Sequence, residues 1–293
     1  MLDFLNAIVG GILLGGIYSL VALGIVIIYK SSKILSFTQG GFLVMGAITG
    51  WAMLGPFGLH PFIGITLALA ICTFFGYIVN RLALRPIIGE PLMTSILITI
   101  ALSWLFDSLS IIAIGGKQRA FPIQISNSQL NIAGINLSVT MLLCFLIAFA
   151  LFIFFILFYR YHRVGLAMRG TAEDHEVMQN LGIRVKNMLD YSWMIAALCG
   201  GVSGILLASI ISVNINLSSI GLTALVVVLV AGLESIPGVL IVGPMIGILE
   251  NLAVYLDPYV GGGSREVIPF IILLIILLIK PYGLFGLKRI ERI

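Results

Sequence analysis

The sequence predicts an all-α, polytopic integral membrane protein with about eight or nine transmembrane or re-entrant helices. Of its 293 residues, 60% are hydrophobic and only 10% are charged, whereas soluble domains carry about 25% charged residues. The apolar residues lie in long runs, and a run of ~20 such residues can cross a bilayer as a helix. The 33 glycines are typical of closely packed membrane helices. We therefore expect one transmembrane domain over residues 1–293, with one long polar loop at 159–190.

Nine apolar segments are predicted to be the membrane elements. They are 4–28, 34–54, 59–79, 92–114, 137–158, 191–213, 220–233, 236–256 and 267–279. Two of them, 220–233 and 267–279, are short for a helix that spans a bilayer. The segment 34–54 contains Thr38 and Gln39 followed by two glycines. Because polar groups and glycines interrupt membrane helices where the backbone is buried in protein or lines a cavity, we expect a broken or re-entrant element there.

The basic residues predict the orientation of the chain in the membrane. If the polar loop 159–190 is cytoplasmic and the segments alternate, all but three of the 16 lysines and arginines lie inside. The three outside are Lys117, Arg119 and Arg265. Cytoplasmic loops are enriched in basic residues, so this distribution predicts an external N-terminus and a cytoplasmic C-terminus. The formal net charge of +4 has the same origin, and no nucleic-acid partner is expected.

The polar loop 159–190 is predicted to contain a short helix. Thr171 is the expected N-cap, and Gly182 the expected stop. Its first turn would be acidic, with Glu173, Asp174 and Glu176. An apolar stripe would follow, formed by Val177, Met178 and Leu181. A helix of this length is marginal alone. Residue physics leaves two interpretations open, a connecting turn or a docking element for a soluble partner.

The motifs of common enzymes and metal sites are absent from the sequence. The string at 115–118 lacks the spacing and the hydroxyl of a phosphate-binding loop, so this chain is not expected to bind ATP by that route. No HExxH motif or pair of catalytic carboxylates occurs. Cys72, Cys144 and Cys199 lie inside apolar runs and predict neither a metal site nor a disulfide. We expect a protein that is not an enzyme and that holds no metal or cofactor of its own.

Charged and polar residues within the apolar segments are the candidates for function, because burying them in a membrane is costly. Asp107 fits a counter-ion or gate group, although a hydrogen bond to a neighbouring helix, with Ser103 or Ser108 nearby, is favoured. For Glu250, too, a structural role is favoured over a role in transport. Asn214 and Asn216 fit either the lining of an outer cavity or a turn.

Six short motifs occur in order along nearly the whole chain. They are G-x-I-Y-x-L-x-A-L-G at 15–24, S-F-T-Q-G at 36–40, R-P at 85–86, R-x-x-A-E-D with L-G-I at 169–183, S-I-P-G at 235–238 and P-x-G-L-F-G at 281–286. Each motif alone is weak, but six in this order are specific. Together they resemble the shorter, LivH-like permease subunits of branched-chain amino acid ABC importers.

The resemblance implies that the short polar helix is a coupling helix, which docks on an ATPase subunit. The residues implied in this contact are Arg169, Thr171, Ala172, Glu173, Asp174, Val177, Met178, Leu181 and Gly182. The implied partners are a second, LivM-like permease subunit, two ATP-binding cassette subunits, a soluble substrate-binding protein and membrane lipid. ATP and Mg would be bound by the ATPase subunits. The implied location is the cytoplasmic (inner) membrane of a bacterium or archaeon, with several passes and with alternating access as the transport mechanism.

Several residues depart from the family pattern and leave the substrate open. Ser36 stands in place of Asn, Gly41 in place of an acidic residue and Thr223 in place of Lys, while Met178 replaces Ala in the coupling helix. The candidate substrate pathway comprises Ser36, Thr38, Gln39, Asp107, Asn214, Asn216 and Thr223. A branched-chain or other apolar amino acid is the expected substrate, and urea or a short amide is the alternative. A stand-alone secondary transporter or channel is a third hypothesis. Such a protein would be expected to have an ion-coupling acidic cluster deep in the membrane, and it would need no coupling helix.

Overall fold

The computed structural model describes residues 2–87, 90–123, 128–132, 135–260 and 262–286. Its helices and strands are α1 (Leu2–Ser32), α2 (Gln39–Leu54), α3 (Pro61–Ile78), α4 (Leu92–Ile114), β1 (Gln129–Ile132), β2 (Ile135–Ser138), α5 (Val139–Tyr161), α6 (Arg163–Glu173), α7 (His175–Asn180), α8 (Val185–Ile211), α9 (Ser219–Ala231), α10 (Ile236–Ala253), α11 (Asp257–Val260) and α12 (Ser264–Ile279). Six of the described helices are long and apolar enough to cross a membrane, while α2 and α9 are shorter. The predicted all-α polytopic fold is confirmed.

Helix α1 is the centre of the bundle. Its residues from Leu13 to Ile28 are buried, and α10, α8, α5 and α9 pack around it. Two ends of the bundle can be distinguished. At one end, Asn6 near the start of α1 accepts a hydrogen bond from the backbone of Asn136 in the β1–β2 hairpin. We call this the hairpin end, and we call the opposite end, where α6 and α7 lie, the α6–α7 end.

Helices α1 and α10 approach each other through glycines. A Cβ atom added to Gly15 would lie 2.6 Å from the Cα atom of Pro244, and one added to Gly243 would lie 2.7 Å from the carbonyl oxygen of Gly15. The Ser19 hydroxyl donates a hydrogen bond of 3.1 Å to the carbonyl of Val239 on α10. Small residues allow such contacts in lipid, where helix association depends on close packing and hydrogen bonds.

The segment 34–54, which was predicted to be broken or re-entrant, has no break within its helix, because α2 runs continuously from Gln39 to Leu54. Residues 33–38 are not helical, and α2 begins only at Gln39. Helix α9 is also short, and a 3-10 turn, Ile215–Ser218, precedes it. The first turns of these two helices touch: a Cβ on Gly40 would clash with the Ser218 carbonyl, and one on Gly221 would clash with the Gly40 backbone. The first turns of two short helices therefore meet inside the bundle.

The β1–β2 hairpin was not predicted, and α8 begins earlier than expected. The hairpin pairs Gln129 with Ser138 and Ile132 with Ile135, and the alternation of polar and apolar residues in 129–138 is the signal for it. Helix α8 starts at Val185, six residues before the apolar segment. Asp190, in the second turn of α8, contacts polar groups of a neighbouring segment.

Those groups belong to the turn that follows α3. The Asn80 side chain donates a hydrogen bond of 2.6 Å to Asp190, and the Arg85 guanidinium forms an ion pair with the same carboxylate. Asp190 is only 7% exposed. The ion pair ties the end of α3 to α8 and gives the predicted R-P motif a structural role.

We predict that Arg85→Ala lowers the thermal stability of the protein. The substitution leaves the buried Asp190 carboxylate without its cation, which costs up to about 3–5 kcal/mol. Thermal unfolding of the purified protein in detergent, followed by intrinsic fluorescence, measures the change. Arg81→Ala is the matched control, because Arg81 is exposed on the same π-helical turn, Val79–Leu84. Equal melting temperatures for Arg85→Ala and the wild type would contradict this role.

Candidate functional site

The polar loop 159–190 folds into two helices, so the prediction of one helix capped by Thr171 is wrong. Thr171 lies buried in the last turn of α6, where its hydroxyl donates a hydrogen bond of 2.8 Å to the Ala167 carbonyl. Asp174 is the N-cap instead. Its Oδ1 atom accepts hydrogen bonds from the amides of Glu176 and Val177, at 2.8 and 3.0 Å.

The break at Asp174 has a local cause. The residue has an extended backbone, with φ −153° and ψ 112°, and its short carboxylate takes two amides that a continuous helix would direct at backbone carbonyls. Ala172 and Glu173 consequently end α6 rather than begin a helix, so Glu173 lies at the negative end of a helix dipole and not at the positive end as predicted. Gly182, with φ +78°, follows α7 at the predicted position.

Helix α6 packs against α1, α5 and α8. Met168 is fully buried in the main hydrophobic core. The Arg169 guanidinium lies over the Tyr159 ring at 5.8 Å, and the Lys30 ammonium group lies 5.8 Å from the centre of the same ring. Lys30 also donates a hydrogen bond of 3.2 Å to the carbonyl of Glu234, between α9 and α10. Helix α6 thus contacts α1, α5 and α8 directly and is linked through Tyr159 and Lys30 to the α9–α10 connection.

Helix α7 presents an apolar and acidic surface to solvent. Val177 and Leu181 are 52% and 70% exposed, and Glu173, Asp174 and Glu176 are also exposed. We call these five residues the α7 surface. Met178 is half-buried and points back, since a Cβ on Gly170 of α6 would lie 2.6 Å from its sulfur. Met178 therefore joins α7 to α6.

The polar residues at the start of α2 form hydrogen bonds near their own segment. The Ser36 and Thr38 hydroxyl oxygens lie 2.7 Å apart, and both residues are buried. Gln39 donates a hydrogen bond of 3.0 Å to the Ala196 carbonyl on α8, and its Oε1 atom is buried with no partner among the described residues. These three residues do not line the polar cavity described below.

Asp107 faces a different partner from those predicted. Its carboxylate lies beside the side chain of Ser218, at the turn before α9. The hydroxyl of Ser108 donates instead to the Trp104 carbonyl within α4. Within the described ranges, the Oδ1 atoms of Asp107 and Asn214 are buried and have no hydrogen-bond partner.

A polar cavity of about 530 Å³ lies between α1, α9, α10 and α12. It brings together three of the predicted pathway residues, Asn214, Asn216 and Thr223. Its lining also includes residues that sequence reasoning did not assign to function, Tyr18, Glu250 and Arg265. The sequence signal for this site was an acid, Glu250, inside one apolar segment and a base, Arg265, just before the next one.

Glu250 is the centre of this cavity. It is 4% exposed, its Oε2 atom accepts a hydrogen bond of 2.9 Å from the Tyr18 hydroxyl, and its Oε1 atom accepts one of 3.3 Å from Thr223. The Nε atom of Arg265 lies 3.9 Å from Oε2. The cavity therefore contains a buried carboxylate and a guanidinium from adjacent helices.

Residues 7–279 match the family described as branched-chain amino acid transport system / permease component. The chain belongs to this family. The predicted resemblance to LivH-like permeases is thereby confirmed. The members of this family are transporter components rather than enzymes. Together with the long apolar helices, membership indicates a multi-pass protein of the inner membrane.

Curated relatives span almost the whole chain. The high-affinity branched-chain amino acid transport system permease protein BraD of Pseudomonas aeruginosa is 26% identical, over 99% of this chain and 98% of the relative. The corresponding LivH protein of Escherichia coli (strain K12) is also 26% identical, over 100% and 98%. The probable branched-chain amino acid transport permease protein LivH of Methanocaldococcus jannaschii is 28% identical, over 97% and 94%.

A solved structure has the same fold. It is PsaBC from Streptococcus pneumoniae in complex with Fab, with a TM-score of 0.52 and 18% sequence identity. The match covers 94% of this chain and 91% of that chain. At this identity the likeness supports the arrangement of helices in the permease and nothing finer.

We predict that Asp174→Ala frays α7. Loss of an N-cap costs about 1 kcal/mol, and the amides of Glu176 and Val177 lose their acceptor. Hydrogen exchange across 174–182 should therefore become about fivefold faster. Gln179→Ala is the control, since Gln179 is exposed on the same helix and its side chain makes no cap. Unchanged exchange in Asp174→Ala would refute the assigned cap.

Proposed function

We propose that this chain is the transmembrane permease subunit of an ATP-driven importer of branched-chain or other apolar amino acids. Transport proceeds by alternating access, and ATP binding and hydrolysis on partner subunits supply the free-energy difference between the two states. The observation that carries this proposal is the α7 surface, which is exposed and apolar at its centre and is joined through α6 to the membrane helices.

The assembly that we propose contains a second, LivM-like permease subunit, two ATP-binding cassette subunits and a soluble substrate-binding protein. ATP and Mg are bound by the ATPase subunits, and this chain holds no cofactor. The N-terminus lies outside and the C-terminus in the cytoplasm. The distribution of lysine and arginine supports this orientation, because it places the α6–α7 end in the cytoplasm, where an ATPase subunit can reach it.

Two features support the α7 surface as the ATPase contact. A six-residue helix is too short to be stable alone, so a partner that covers Val177 and Leu181 would add the packing that it lacks. Exposed apolar side chains grouped on a polar loop are typical of a protein contact. The acidic residues around them would be complementary to a basic surface on the partner.

Movement of α6 has a direct route to the membrane helices. Arg169 lies on Tyr159 at the end of α5, and Lys30 at the end of α1 lies on the same ring. Glu234, between α9 and α10, accepts from Lys30 and forms an ion pair of 2.6 Å with Lys33. A displacement of α6 by the ATPase would therefore act on α1, α5, α9 and α10 together.

The substrate prediction is tested on the purified complex. We expect its ATPase activity to rise when the binding protein is loaded with leucine, isoleucine or valine, and we include phenylalanine and urea for comparison. Stimulation by urea alone would mean that urea, and not an apolar amino acid, is the substrate. A chain that purifies in active form without any ATPase subunit would contradict the coupling proposal and favour a stand-alone transporter or channel.

We predict that Glu173→Lys uncouples transport from ATP hydrolysis, with amino acid uptake falling at least about tenfold while ATPase activity remains. The new cation suits the negative end of α6, so the helix itself is not weakened, but the charge of the α7 surface is changed. Uptake and hydrolysis are measured in the same proteoliposomes. The control is Glu90→Lys, which changes an exposed acid in the α3–α4 connection. Uptake by Glu173→Lys at the wild-type rate would overturn the assignment of this surface.

A further inference from the structure

We propose that the cavity around Glu250 is a membrane-embedded binding site for a zwitterionic α-amino acid. Glu250 receives the ammonium group of the ligand, and Arg265 receives its carboxylate. This inference rests on the proposed function for the choice of an amino acid, and it adds a site within the permease itself. The substrate would then be recognised a second time, after release from the binding protein.

The size and composition of the cavity fit a small amphipathic ligand. Its volume of about 530 Å³ falls within the roughly 300–1,000 Å³ of typical small-molecule sites. Asn214 and Thr223 supply polar groups, and Ile211, Leu222 and Phe270 supply apolar ones. An apolar amino acid needs both kinds of surface, since its charged end requires polar partners and its side chain requires burial.

The Glu250 carboxylate is incompletely compensated. Its two hydrogen-bond donors, Tyr18 and Thr223, are neutral hydroxyl groups. Within the part of the chain that the structure describes, its ion-pair partner is Arg265, at the long distance of 3.9 Å. A buried carboxylate in a membrane protein is stabilised by a close cation. A substrate ammonium group would supply that charge beside the oxygens that Tyr18 and Thr223 already orient.

Arg265 is placed to bind the other end of the ligand. Its side chain is 42% exposed, compared with 5% for that of Glu250, so it lies nearer the mouth of the cavity. A guanidinium can hold a carboxylate through two parallel hydrogen bonds. Glu266, exposed beside it, also lines the cavity and disfavours ligands that carry only negative charge.

The arrangement also explains how the site could change during transport. Glu250 lies on α10 and Arg265 lies on α12, so their separation depends on the packing of these two helices. A bound zwitterion would bridge them and favour the arrangement in which both groups reach it. Urea, which carries no charge, would gain little from the pair.

The test measures direct binding of radiolabelled leucine to the full complex in nanodiscs, without binding protein or nucleotide. Unlabelled leucine, leucinamide, 4-methylpentanoate and urea compete. We expect saturable leucine binding, and weaker competition by leucinamide and 4-methylpentanoate, each of which lacks one charged group. Glu250→Gln should weaken leucine binding at least about tenfold and remove the advantage of leucine over 4-methylpentanoate. Arg265→Gln should remove its advantage over leucinamide.

A third variant keeps the test valid if those two proteins fold poorly. Leu222→Trp fills the apolar part of the cavity with a larger side chain, so it should abolish leucine binding while the complex still assembles and its melting temperature stays at the wild-type value. Leu67→Trp, at a similarly exposed leucine on α3, is the control and should bind leucine normally.

The outcomes separate this inference from the proposed function. No saturable leucine binding by the wild type, or normal binding by Leu222→Trp, would overturn the site. If the leucine-loaded binding protein still raises the ATPase activity of the same complex, the proposed importer function stands without a binding site in the cavity. Failure of every amino acid to stimulate the ATPase, with urea active, would instead refute the proposed substrate.

Discussion

The close contact between α1 and α10 is the constraint on which the rest of the structure depends. Gly15 and Gly243 bring the two backbones together, and Ser19 adds a hydrogen bond across the contact. In lipid no hydrophobic force draws helices together, so a contact of this kind needs small residues. The same approach brings Tyr18 on α1 within 2.9 Å of Glu250 on α10. Packing and the candidate binding cavity therefore share one cause.

Helix α1 also connects the two candidate sites. Tyr18 lies at the cavity, and Lys30, about 18 Å further along the helix, lies against the Tyr159 ring below α6. A rigid, buried helix that contacts both sites is the kind of element through which two sites can be coupled. In the proposed mechanism, docking at the α7 surface and binding in the cavity bias the same set of helices.

Much of the fold could be predicted because membrane helices are specified by length and apolar content. The predicted segment 92–114 has the bounds of α4. Gly40 and Gly41, which suggested a break, lie within α2, and Gly40 instead allows close contact with the start of α9. The hairpin at 129–138 was missed although its alternating pattern was visible. The helix break at Asp174 could not be separated from a start at Thr171, because both residues are good N-caps and only the burial of Thr171 decides between them.

The candidate cavity was beyond sequence reasoning for a different reason. Tyr18 and Glu250 are 232 residues apart, and only the packing of α1 against α10 brings them together. Glu250 was therefore interpreted as structural, while Ser36, Thr38 and Gln39, which attract attention as polar residues in an apolar run, form hydrogen bonds with each other or with backbone.

The most direct test of this account is the uptake of radiolabelled leucine into proteoliposomes that contain the complete complex and its binding protein. We expect accumulation above the external concentration when ATP is present on the side of the ATPase subunits, and none with ADP. Equal uptake with ATP and ADP would contradict it, because leucine would then cross without the free energy of hydrolysis.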